Sequence, residues 1–300
     1  MKTMLIAATL TLALAGSPAV AAPRESAISA PTQFIESQGR RIAYRSVGSG
    51  PALILALRFR GILDSWDPAF IDALAKSFRV ITFEYSGIGR STGPRATSVT
   101  AMADDVRDLA DALKLNRFVL GGWSMGGAVV QESAVRMPDR VSHLVIIGAG
   151  PPGKGFWVPE KSFLDAAAKP VNDLADKEVL FFRPSSEASR AAAKASWDRI
   201  HARSADLSVP VPPAAFADQA KSLAGFRADT SGVSEFLFTT RMPILVVAGD
   251  SDVCCRVQDW YALSGRFSTL RLLVMPQSGH APQHQYPAEV AAQISAFAGN

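Results

Sequence analysis

Gly122-Trp123-Ser124-Met125-Gly126, entered through the apolar run Phe118-Val119-Leu120 and left through Gly127-Ala128-Val129-Val130-Gln131, reads as a strand, a tight turn and a helix with a serine at the tip. This is the sequence form of a nucleophile elbow. The flanking glycines have a physical reason: the serine must occupy a strained turn, where side chains on either side would collide with the neighbouring strand or helix.

A Gly-x-Ser-x-Gly by itself is weak evidence; its weight comes from residues further along the chain. Gly249-Asp250-Ser251-Asp252 comes after the apolar run Ile244 to Ala248, and Ser278-Gly279-His280 after the run Leu270 to Val274. A serine hydroxyl needs a base within hydrogen-bond reach to attack at neutral pH, and the base needs a carboxylate on its other nitrogen. Of the four histidines, His143 begins a predicted strand and so falls at the wrong edge, and His201 sits late in a predicted helix. His280, in a glycine-containing loop after the last strand, is the expected base, with His284 as its competitor or as a supporting or surface residue.

Short β-rich runs alternate with longer helical patterns, which predicts a parallel sheet flanked by helices. Strands are expected at 33–36, 41–45, 53–57, 80–83, 118–121, 144–147, 244–248 and 270–274, and helices at 68–77, 99–115, 125–137, 257–264 and 287–298. From Gly150 to about Glu235 only helical patterns occur, at 161–169, 171–182, 186–203 and 213–223. An all-helical insertion between two strands reads as a cap over the carboxyl edge of the sheet, where ligands of open α/β folds bind. Phe156, Trp157, Phe163, Trp197, Phe216 and Phe226 either line a pocket under it or form its small core. The expected organisation is a signal peptide over 1–21, a core over 22–150, the cap over 151–235 and the rest of the core over 236–300.

With 300 residues and 48% hydrophobic content the chain can bury a substantial core. Its net charge of +4 is scattered rather than clustered, which argues against a nucleic-acid partner or a polybasic membrane patch. Met1-Lys2, an apolar stretch to Ala15 and the small-residue site Ala19-Val20-Ala21 have the layout of a secretory signal peptide cleaved after Ala21, with Ala22 the less favoured site because Pro23 follows. No stable membrane span and a secreted or periplasmic location are therefore expected, and the oligomeric state stays open. The two cysteines, Cys254 and Cys255, are adjacent and cannot staple distant segments. They are expected to pack beside the acid loop, with a strained vicinal disulfide as the alternative.

Taken together, Gly122 to Gly127, Phe83-Glu84-Tyr85-Ser86-Gly87-Ile88-Gly89-Arg90-Ser91, Gly249 to Asp252 and Pro276 to Pro282 resemble the α/β-hydrolase fold superfamily over essentially all of the mature sequence. The resemblance implies a mostly parallel eight-stranded sheet and a triad in the chain order Ser124, Asp252, His280. Asp252 matches the superfamily's position in its Gly-x-x-Asp turn; Asp250 is the alternative acid, or else fixes the turn by accepting backbone amides. The resemblance also implies an oxyanion hole made by the amides of Met125 and Phe59. Relatives commonly carry His-Gly where this chain has Leu57-Arg58, a departure at the second donor. Arg58 and Arg60 are expected to pair with carboxylates such as Asp64, Asp67 or Glu84, with an anionic substrate as the other reading.

These residues point to a cofactor-free and metal-free serine hydrolase acting on a small-molecule carboxylic ester or lactone through an acyl-enzyme. Amide, peptide or carbon–carbon cleavage and perhydrolysis remain open on the same triad. A hydrolase-fold protein that only binds a small molecule is the rival from another class.

Overall fold

The computed structural model describes residues 26–299. The expected signal peptide over 1–21 lies outside the described residues. Eight strands form one sheet: β1 (Gln33–Ser37), β2 (Arg40–Val47), β3 (Ala52–Ala56), β4 (Arg79–Phe83), β5 (Phe118–Trp123), β6 (Val141–Ile147), β7 (Ile244–Gly249) and β8 (Leu270–Met275). Their order is β1-β2-β4-β3-β5-β6-β7-β8, with β2 antiparallel to β1 and β4 and all pairs from β4 onward parallel. Each coincides with an expected strand to within a few residues.

The central strands β3, β5 and β7 are buried throughout, which is why their sequences run apolar instead of alternating. Helices α1 (Pro68–Leu74), α2 (Val99–Ala112) and α3 (Met125–Arg136) belong to the first half of the chain. Helix α2 starts where the Ser98 hydroxyl accepts from the Ala101 amide, and its Val99, Met102, Val106 and Leu109 are buried. Helix α1 is capped by Asp67, whose carboxylate accepts from the amide of Ala69.

Between β6 and β7 lie only helices: α4 (Lys161–Ala168), α5 (Leu174–Phe181), α6 (Glu187–Ile200), α7 (Ala214–Arg227) and α8 (Val233–Thr239). The sequence did not announce α8. It is opened by Gly232, at φ 68°, and by the Asp229 carboxylate, which accepts from the amide of Val233. The chain closes with α9 (Gln258–Tyr261), α10 (Pro282–Gln285) and α11 (Pro287–Ala298). The single helix expected over 257–264 is instead short α9 followed by a 3₁₀ turn at Ser264–Arg266. There the bonds tighten to three-residue spacing, Leu263 to the carbonyl of Trp260 and Arg266 to that of Leu263.

Because β5, β7 and β8 run parallel, the segments that leave their carboxyl ends emerge at one edge of the sheet. Ser124 follows β5, Asp250 to Asp252 follow β7, and Ser278 to His280 follow β8. Topology alone thus gathers three segments up to 156 residues apart.

Candidate active site

Ser124 sits between β5 and α3 with φ 57° and ψ −121°, a conformation that a non-glycine residue holds only under constraint. The constraint is visible: its amide donates to the carbonyl of Ile147 at 2.9 Å, and its own carbonyl accepts from Gly127 at 2.7 Å. A Cβ on Gly122 would lie 2.2 Å from the carbonyl oxygen of Gly126, and one on Gly126 would lie 2.2 Å from that of Ala56. Both glycines are therefore required by backbone crowding around the turn.

The Oγ of Ser124 is 2.7 Å from Nε2 of His280, and Nδ1 of His280 is 2.8 Å from Oδ2 of Asp252. The other oxygen of Asp252 accepts from the amides of Cys254 at 2.7 Å and Cys255 at 2.9 Å. The carboxylate is thereby locked facing the ring. Asp250 plays a different part, accepting from the amides of Gln277 at 2.8 Å and Ser278 at 3.1 Å and so tying the acid loop to the histidine loop. The carbonyl of His280 takes the indole N–H of Trp123 at 2.8 Å. Phe163 meets the His280 ring edge-on with centroids 5.5 Å apart, so helix α4 contributes to the walls around the imidazole.

Burial by itself would lower the pKa of His280, but the Asp252 carboxylate, followed by the sulfur of Cys254, reverses this and pushes it up to about 10. Asp252 is the firmer cause, since its carboxyl group lies in hydrogen-bond contact with the ring. The thiol of Cys255 donates to Cys254 across 3.6 Å, and with His280 this brings Cys254 down to about 7 in spite of burial. Both cysteines are free and buried. Cys254, Cys255 and His280 are the one group of metal-type donors among the described residues, their atoms within 4.8 Å of one another. Both ring nitrogens of His280 are already engaged, so a cation there would break a bond to Ser124 or Asp252.

Met125 opens α3, where the first amides of a helix have no intrahelical acceptor, and Phe59 faces the same space as Ser124 and Met125. That space is a cavity of about 620 Å³ walled largely by apolar side chains of the helical insertion, among them Trp157, Phe163, Phe216 and Leu223. Of the aromatics singled out in the insertion, Trp157, Phe163 and Phe216 line this cavity, whereas Phe226 packs against Trp157. Trp197 lines a second cavity of about 450 Å³, together with Arg58, Trp123, Lys177, Phe181 and His284. A small pocket of about 30 Å³ at Ser124 and His280 shares Phe59 and Phe163 with the first cavity and Arg58 and Phe181 with the second.

His284 is neither the base nor a surface residue. It is buried against the Trp123 ring, 4.6 Å between centroids, and its Nε2 faces the amide of Asp67 at 3.4 Å. Burial, helped by Arg58, Arg199 and Lys177 and opposed by Asp67, brings its pKa down to about 4, so it is neutral. With Nε2 accepting, the remaining proton is on Nδ1. His143 packs on Phe297 at the opposite edge, and His201 stacks on Trp197.

The expected pairing of Arg58 and Arg60 with carboxylates does not occur. Asp64 is taken by Arg45 at 2.5 Å and Asp67 by Arg199 at 2.6 Å, while Glu84 accepts the amides of Leu63 and Arg90. Arg60 instead donates to the carbonyls of Ala167, Lys169 and Pro170 and lies over Phe216. Arg58 is held between the rings of Trp123 and Phe181 and donates to the carbonyl of Phe59 at 2.7 Å. Sequence reasoning gave no role to Trp123 or Lys177, and a lone lysine on a short helix carries no signal of its place in a cavity.

A family model described as the alpha/beta hydrolase fold matches residues 51–287. An alpha/beta hydrolase fold protein from Chitinophaga pinensis is 30% identical, aligned over 91% of this chain and 98% of its own, with a TM-score of 0.82. A putative carbamate hydrolase RutD from Caulobacter sp. (strain K31) is 29% identical over 79% of this chain and 88% of that protein. The enol-lactonase from Burkholderia xenovorans LB400, at 20% identity and a TM-score of 0.68 over 88% of this chain and 99% of its own, shares the fold. With the family match spanning most of the chain and the eight-stranded sheet in place, this protein belongs to the alpha/beta hydrolase fold family.

Proposed function

We propose that the protein is a serine hydrolase that cleaves a carboxylic ester or lactone through an acyl-enzyme on Ser124. The observation that carries this reading is the unbroken chain Ser124 Oγ, His280, Asp252, with contacts of 2.7 and 2.8 Å. Ser124 Oγ attacks the substrate carbonyl as Nε2 of His280 takes its proton, and Asp252 stabilises the imidazolium. Negative charge gathers on the carbonyl oxygen, where the amides of Met125 and Phe59 serve as fixed donors, each worth about 3 kcal/mol in the transition state. His280 then protonates the departing alkoxide. Water, deprotonated by the same imidazole, releases the acid.

Among proteins similar to this chain, one that shares the fold is named an enol-lactonase and one relative a putative carbamate hydrolase. The apolar cavity beside Ser124 favours an ester or lactone with a hydrophobic arm. The test is a fluorophosphonate probe together with a panel of chromogenic esters, lactones and amides. Labelling lost in Ser124→Ala and ester turnover above amide turnover are expected; an unlabelled Ser124 in folded protein sinks the reading. Export belongs to the same proposal and rests on residues 1–21, so periplasmic or secreted protein is expected to begin at Ala22 on N-terminal sequencing.

A further inference from the structure

The 450 Å³ cavity carries three cationic side chains on its wall, Arg58, Lys177 and Arg203, against a single carboxylate, Asp64. Arg58 and Lys177 both line it, and both lie against the Phe181 ring, at 4.9 and 5.3 Å from its centroid. Among the described residues neither forms an ion pair with a carboxylate. Arg58 spends one Nη on the Phe59 carbonyl, reaches Ser65 only at 3.5 Å and leaves its buried Nε without an acceptor. The one carboxylate on the cavity wall, Asp64, is occupied by Arg45, the amide of Ser208 and Arg203, and Arg203 is itself paired with Asp206 as well. Asp176, next to Lys177 in sequence, is held by Lys169.

Holding two half-buried cations against one ring without a counter-ion is costly. The strain shows in both groups: burial, then Arg60, brings Arg58 down to about 9, while burial, then Arg58 and Arg60, brings Lys177 down to about 7. An anion in the cavity relieves both. His284 lies on the same wall with a proton on Nδ1 and so adds a neutral donor.

We propose that this cavity receives a carboxylate carried by the substrate, held by Arg58 and Lys177, so that the molecule cleaved at Ser124 has an anionic arm on this side and an apolar arm among Phe163, Phe216 and Leu223. The assignment rests on Ser124 being the reacting residue, and it narrows the substrate class to esters or lactones with a free carboxylate. A monoanion suits the site better than a phosphate dianion, because Asp64 shares the wall and Arg58 has already committed part of its fork.

The direct test is binding, measured by calorimetry on Ser124→Ala full-length protein with monoethyl adipate, neutral diethyl adipate and monobutyl phosphate. The carboxylate monoester is expected to bind about tenfold or more tightly than the diester, the gain typical of a charge-assisted contact. Lys177→Met in that background should erase the preference and Lys177→Arg should keep it. Lys177 is the residue to change because Arg58 also touches the backbone of Phe59. Equal affinity for both adipates, or a preference that survives Lys177→Met, overturns the subsite, and tighter binding of the phosphate overturns the choice of carboxylate. Since binding needs no turnover, a carboxylate preference with no fluorophosphonate labelling of the wild type removes the hydrolase reading alone. Labelling without the preference removes the subsite alone.

Discussion

The two aspartates of the acid loop stand two positions apart and do different work. Asp252 faces the imidazole and takes the amides of Cys254 and Cys255, whereas Asp250 takes those of Gln277 and Ser278. Asp252→Asn should therefore lower kcat by about 10⁴, the size of loss seen when a triad acid can no longer hold the histidine tautomer. Asp250→Asn should leave the chemistry nearly intact and cost about 1 kcal/mol of stability in denaturant melts. Equal losses of activity in the two variants would contradict this division. With His280 as the proposed base, the pH profile follows its ring, which must be neutral to accept a proton. Its pKa is raised to about 10, with Asp252 and Cys254 overcoming burial, so kcat/KM should climb as pH rises above neutrality. Removing the sulfur in Cys254→Ser should move that ascending limb to lower pH; a stationary limb would show that Cys254 does not act on the ring. The meeting of Ser124, His280 and Asp252 at one edge was legible because each follows a strand of the parallel sheet. The fate of Arg58 and Arg60 was not, because Asp64 and Asp67 draw partners from distant segments, Asp67 taking Arg199 from the helical insertion and Asp64 taking Arg45 from β2.

At the scale of elements, the strand–turn–helix unit around Ser124 leaves no space at its glycines. Gly126→Ala would force a methyl to within 2.2 Å of a carbonyl oxygen, with backbone on both sides of the clash. A loss of about 3 kcal/mol is expected in chemical denaturation. Gly265→Ala, where nothing lies within 4 Å of the added methyl, should stay within about 0.5 kcal/mol of the wild type. Similar losses at both positions would mean that crowding is not what selects glycine at the elbow. All strands were readable from apolar runs with turn residues between them. Helix α8 was not, because the side chain that opens it, Asp229, precedes the helix by several residues and Gly232 reads as a breaker.

For the molecule as a whole, acid sensitivity gathers where the insertion meets the sheet. Helix α6 is tied to α1 by Arg199, whose guanidinium donates twice to Asp67, and His284 lies beside that pair. Burial holds His284 at about 4 in the folded state against an ordinary 6.5. Between those values the unfolded chain binds the extra proton, so stability falls as pH drops from 6.5 toward 4, and it is fully present above 6.5. The loss attributable to this one ring is about 3 kcal/mol at most. His284→Asn should flatten the decline of Tm across that window; parallel curves for the two proteins would refute the assignment. The layering of sheet and insertion was visible in the chain, whereas the separation of the site into an apolar and a cationic cavity was not. That separation depends on where α4, α5, α6 and α7 lay their side chains, and amphipathic patterns show which face is buried without showing against what.

Cys254 lines the apolar cavity next to Ser124, and contact with Cys255 and His280 brings its thiol down to about 7. Cys254 is thus a chemical reporter on the wall of that cavity. Alkylation by a small maleimide, monitored by mass spectrometry, should slow whenever a hydrophobic molecule fills that chamber. Occupancy can then be read for compounds that are never turned over, which allows ligands to be found before any substrate is known.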